Sequence, residues 1–140
     1  MIRSVLGALI GIATAVVTVM LMDFLSHSIY PPPAGIEIVD TEAMNVYLAS
    51  APVGALAIVL AGYLMATFDG VFVACLIGRA QPLIYALVIG VLMLAATASN
   101  LLMLRHPTWF SVSAIVGIVV SAWLASLLVQ RIRPAKAGAE

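Results

Sequence analysis

Charge is what this sequence has least of. Only 9% of its 140 residues are charged, six Lys/Arg against six Asp/Glu, for a net charge of zero. A soluble domain carries about 25% charged residues. Without a basic surplus there is no electrostatic footprint for nucleic acid, so no nucleic-acid partner is expected. The lone cysteine, Cys75, excludes an internal disulfide and a thiolate metal cluster. Glycine-rich phosphate loops, H-E-x-x-H and Ser-His-Asp signatures are also missing. No cofactor, no metal and no enzymatic activity are therefore expected.

What is there is apolar. Hydrophobic residues make up 64% of the chain and the mean hydropathy is +1.21. A soluble fold of this size has too much surface for its volume to hide that much apolar area. Lipid removes the difficulty, because it is itself apolar. The length suits one compact unit.

A bilayer core of about 30 Å needs roughly 20 apolar residues in a helix. Four runs qualify: Val5–Ile29, Pro52–Gly78, Pro82–Leu104 and Trp109–Gln130. The only A-x-A near the start, Ala13-Thr14-Ala15, is followed by further apolar residues to Met22. The first run is therefore expected to be a retained helix and not a cleaved signal peptide. The connections carry breaker chemistry. Pro31-Pro32-Pro33-Ala34-Gly35 ends the first helix. Asp40 is placed to cap a short interfacial helix over Thr41–Ala49, and Ser50-Ala51-Pro52 reads as the next start, with Ser50 as cap. Short turns at Gly78–Gln81 and Arg105–Thr108 make the last three long helices antiparallel neighbours. Ala135–Glu140 reads as a disordered tail.

The expected fold is all-α, a single four-helix transmembrane bundle over residues 1–140. Orientation follows from Lys and Arg. Arg3, Arg79, Arg131, Arg133 and Lys136 fall on one side, five of six, and only Arg105 falls on the other, with Glu37, Asp40 and Glu42. Both termini are therefore expected to be cytoplasmic. Tyr30, Tyr47, Trp109 and Phe110 are expected at the opposite interface, where amphipathic rings are favoured.

Helix association in lipid relies on close backbone approach. Two small-residue stripes at four-residue spacing supply it: Gly7, Gly11 and Ala15 in the first run, and Ser113, Gly117, Ser121 and Ala125 in the last. Packing within the bundle is the plainer use of such stripes, and docking of a second copy or a larger membrane complex is the sharper one.

Polar groups within the runs need a reason, since a charge at the centre of a membrane helix costs about 2.5–3.5 kcal/mol on insertion scales. Asp69 lies nine residues from Gly78, roughly 13 Å deep. Thr14 and Ser121 stand at similar depth in their own helices and form a candidate intramembrane polar site with it. At that depth a neutral carboxyl acting as hydrogen-bond donor is expected, because low dielectric disfavours charge. Either it joins helices or it relays protons. A second candidate cluster lies toward the far end: Asp23, His27 one turn on, Asn100 and His106. A carboxylate with two imidazoles suits a transition metal or an enzyme site. The plainer expectation is a hydrogen bond between Asp23 and Asn100, with both histidines at the interface.

The segments His27-Ser28-Ile29-Tyr30-Pro31-Pro32-Pro33 and His106-Pro107-Thr108-Trp109-Phe110, with Asn100-Leu101-Leu102-Met103, resemble a group of small uncharacterised bacterial four-helix integral membrane proteins. The resemblance implies that fold and a multi-pass place in the bacterial inner membrane. It implies no activity. Phe68-Asp69-Gly70 departs from the small residues expected of that group. Function by helix packing, as an oligomer or accessory subunit, is the leading expectation. A small proton-coupled transporter using Asp69 is the first alternative, and a metal site or enzyme at Asp23, His27 and His106 the second.

Overall fold

The computed structural model describes residues 2–31 and 40–132. The chain is all-α. Its described residues form α1 (Ile2–Ile29), α2 (Thr41–Ser50), α3 (Val53–Ile77), α4 (Pro82–Met103) and α5 (Thr108–Ile132). Four of these, all but α2, are long and apolar enough to cross a membrane. The prolines Pro32 and Pro33, Glu37, the basic residues Arg133 and Lys136, and the expected tail at 135–140 lie outside the described residues.

Helix ends follow from local chemistry. Asp40 is extended and its Oδ1 accepts from the backbone N–H groups of Glu42 (3.0 Å) and Ala43 (3.2 Å), which starts α2. Ser50 does not cap α3. Its hydroxyl donates back to the carbonyl of Tyr47 (3.1 Å), and Pro52 takes the N-cap position with no side-chain bond. A serine in the last turn of one helix finds its nearest free carbonyls behind it, so it closes α2 instead of opening α3. Gly78 turns extended and ends α3, and Pro82 opens α4, where its missing N–H costs nothing.

α3 is the centre of the molecule. On one side it lies antiparallel to α1 along most of its length, and on the other it meets α5 and α4. The contact with α1 is backbone against backbone. A Cβ at Gly7 would come within 2.8 Å of the Ala74 carbonyl oxygen and the Gly78 Cα. One at Gly11 would strike the Gly70 carbonyl and lie 2.6 Å from the Ala74 Cβ, and one at Gly70 would lie 2.9 Å from the Gly11 oxygen. Gly7, Gly11 and Ala15 are accordingly buried against α3 within one copy of the chain.

α5 buries a face displaced from the small-residue stripe read in its sequence and shares Ala125 with it. Phe110, Ala114, Ile118, Ala122, Ala125 and Val129 are buried, whereas Ser113 is exposed and Gly117 and Ser121 are half-buried. Gly117 receives Leu64 of α3. Phe110, Ala114 and Ile118 pack with Leu56 and Tyr63 of α3 in one apolar cluster.

Two apolar clusters fill the interior. One, toward the Arg79 end, is built on Val71, Cys75, Tyr85, Ile89, Ala125 and Val129. The other, toward the α2 end, is built on Leu56, Tyr63, Phe110, Ala114 and Ile118, with Tyr63 edge-on to Phe110 at 6.2 Å. Tyr85 ties the first end together. Its hydroxyl donates to the Ser4 carbonyl (3.2 Å) and accepts from the Ala80 N–H (3.3 Å). Much of the remaining surface is apolar and exposed, as in Phe24, Leu102 and Trp123. That is the surface of a helix that faces lipid.

Candidate functional site

α2 closes one end of the bundle. Met44 is buried beneath it, the Asn45 Oδ1 accepts from the Arg105 N–H at 2.7 Å, and the Tyr47 hydroxyl donates to the Tyr30 carbonyl at 3.4 Å. Below it, Ser26 of α1 donates to the Ala55 carbonyl of α3 at 3.2 Å. These bonds hold the ends of α1, α3 and α4 around a cavity of about 260 Å3. Asp23, His27, Asn100 and His106, from three different elements, all line it. Tyr30, Tyr47 and Tyr63 line it as well.

The bonding inside this cavity differs from the expected one. Asn100 does not pair with Asp23. Its Nδ2 donates to the Tyr63 hydroxyl at 2.8 Å, and its Oδ1 is buried without a hydrogen-bond partner among the described residues. Tyr63 reaches across from α3, where it is buried by its contact with Phe110. Asp23 faces the seam between α1 and α4 instead. It borders both this cavity and a neighbouring one of about 250 Å3, which Val16, Met93, Thr97 and Asn100 also line. Tyr63 is not marked out by the sequence, because an aromatic in an apolar run reads as core. Its signal was the ring size in a stretch otherwise rich in Ala and Gly.

Both histidines spend one nitrogen on the backbone. His27 Nδ1 donates to the Asp23 carbonyl at 2.7 Å, and His106 Nδ1 donates to the Leu104 carbonyl at 3.0 Å. A carbonyl only accepts, so Nδ1 carries the proton and, in the neutral ring, Nε2 is left as an acceptor. The His106 ring also stacks on Phe110 at 4.7 Å. Among the described residues no three His, Cys, Asp or Glu side chains stand close enough to hold a metal ion. Asp23, His27 and His106 therefore share a cavity without forming a ligand set.

Asp69, Thr14 and Ser121 do not form a common hydrogen-bonded site. Gly70 lies against Gly11 and Ala15, so Asp69 stands at the depth of Thr14. Thr14, however, donates to its own helix at the Ile10 carbonyl, 2.9 Å away. Ser121 belongs to α5, whose Gly117 one turn earlier receives Leu64 of α3, a position roughly 140° around that helix from Asp69 at 100° per residue. Asp69 shares the outward stripe of α3 with Met65 and Leu76, which are 49% and 56% exposed. Among the described residues its carboxyl has no hydrogen-bond or ion-pair partner. Compared with protein-family models, curated proteins and solved structures, the chain matches none.

Proposed function

We propose that this chain is a non-enzymatic, multi-pass protein of a bacterial inner membrane, with both termini cytoplasmic, that works as a homodimer assembled through the α3 face around Asp69. The observation that carries the proposal is that carboxyl: half-buried, about 12 Å from the end of α3 at 1.5 Å per residue, and without a partner in its own chain. A polar group left toward lipid at that depth is costly, and a second helix that bonds to it removes the cost. A second copy is self-complementary in the required way. Across a two-fold axis Asp69 meets Asp69, so each copy brings a polar group to the other's. The α1 glycine stripe is not available for this purpose, since α3 already covers it. A proton path through a single copy receives no support from the cavities. None of the four principal ones among the described residues is lined by Asp69.

Association is testable by energy transfer between labelled copies in liposomes. Asp69→Asn keeps donor and acceptor and is expected to associate like the wild type. Asp69→Leu is expected to weaken association about tenfold, the effect of losing roughly 1.4 kcal/mol of interhelical hydrogen bonding. Equal association of all three proteins would refute the proposed face. A subunit of different sequence on this face would instead leave the purified chain monomeric.

The orientation has its own test. A reporter active only in the periplasm is expected to be silent when fused after Ile132 and active when inserted between Pro31 and Asp40. The reverse pattern would overturn the arrangement derived from the five-to-one Lys/Arg split.

A further inference from the structure

The cavity under α2 has an unbalanced set of polar atoms. Asn100 Oδ1 is buried and unpartnered. The Asp23 carboxylate, on the same wall, accepts no hydrogen bond from the described residues. His27 and His106 also line it, each with Nδ1 donating to a backbone carbonyl, so that in the neutral ring Nε2 remains an acceptor. The Tyr63 hydroxyl accepts from Asn100 and keeps one O–H of its own to donate. Among the described residues that line the space, Asp23 is the one carboxylate and there is no Lys or Arg, so the Asp23 oxygens and Asn100 Oδ1 are left without a donor. A buried acceptor without a donor costs about 1–3 kcal/mol, so a guest that brings several N–H groups and a positive charge is favoured.

We propose that this cavity binds a primary ammonium group, with Asp23 and Asn100 Oδ1 as its principal acceptors. An ammonium presents three donors and no acceptor, which is the complement of the wall. Tyr30 and Tyr47 also line the cavity, and aromatic rings there suit both a cation and the carbon chain behind it. The volume of about 260 Å3 is below that of a drug-sized site, so the guest is a small amine or the ethanolamine head of a lipid, both of which carry this group. The site is independent of the dimer face, since Asp69 does not line it.

The test uses full-length protein in phosphatidylcholine nanodiscs, titrated calorimetrically with 2-phenylethylamine and with its N-trimethylated analogue. The analogue keeps the charge and the ring but has no N–H. The amine is expected to bind at least about tenfold more tightly than the analogue, because the hydrogen bonds and not the charge alone select it. In Asp23→Asn, checked for folding by gel filtration, amine binding is expected to fall at least about tenfold, whereas Asp69→Asn should leave it unchanged. Repeating the titration in phosphatidylethanolamine nanodiscs separates the two sources. Amine binding suppressed there identifies the lipid head as the occupant, and binding retained identifies a free amine. Absence of saturable amine binding in both lipids, or equal affinity for the trimethylated analogue, would overturn the proposal. Since the analogue comparison uses wild-type protein, it decides the matter even if Asp23→Asn fails to fold.

Discussion

Replacing Gly11 by leucine is expected to destroy the folded bundle, with a loss of at least about 3 kcal/mol, the upper part of the overpacking range. The reason is what the new side chain would meet. Its Cβ would strike the Gly70 carbonyl oxygen and lie 2.6 Å from the Ala74 Cβ, and Ile89 Cδ1 stands 3.0 Å off. Backbone cannot swing aside as a side chain can, so α1 must separate from α3. Van der Waals contact along that seam is what holds two helices together in a solvent as apolar as they are. The comparison is Gly90→Ala, whose new methyl would sit an ordinary 3.4 Å from the Ala122 Cβ. It is expected to leave the bundle as stable as before or up to about 1 kcal/mol more so, through helix propensity. Unfolding in mixed micelles, followed by circular dichroism, measures both. A Gly11→Leu protein as stable as Gly90→Ala would show that the α1–α3 seam is not as drawn.

The second large effect falls at Tyr63. Tyr63→Phe keeps the ring against Phe110 and removes the hydroxyl that accepts from Asn100 Nδ2. Since Asn100 Oδ1 is already buried and unpartnered, the whole amide would then lack a hydrogen bond. A cost of about 1–3 kcal/mol is expected. Asp23→Leu is expected to cost little in the same unfolding assay, because Asn100 does not bond to it. If Asp23→Leu proved the more damaging of the two, the pairing of Asn100 with Tyr63 would be wrong.

That contrast shows where the sequence stopped being informative. Period, length and breaker residues were enough to locate the long helices, because each is a local property of a run: Asp40 caps α2, Pro82 opens α4, Gly78 ends α3. The α1 stripe was legible for the same reason, since glycines four residues apart share a face whatever that face meets. Partners were not legible. Asn100 stands at the depth of Asp23, yet its amide turns to Tyr63, and only the rotation of α4 about its axis decides between them. Rotation also displaced the seam of α5 from Ser113 to Ala114 and Phe110, and it turned Asp69 away from Ser121. A run that is apolar all round carries no moment to fix its rotation, so that information arises only from packing.

The dimer face around Asp69 is tested most directly by disulfide trapping in native membranes. With Cys75 replaced by alanine, a single cysteine is introduced at Met65, one turn from Asp69 on the same stripe of α3, and in a separate protein at Trp123, exposed on α5. Copies related by a two-fold axis at Asp69 bring the two position-65 side chains within disulfide reach, a Cα separation below about 7 Å. Oxidation is expected to convert Met65→Cys to a covalent dimer and to leave Trp123→Cys monomeric. Trapping at position 123 with none at position 65 would contradict the proposal.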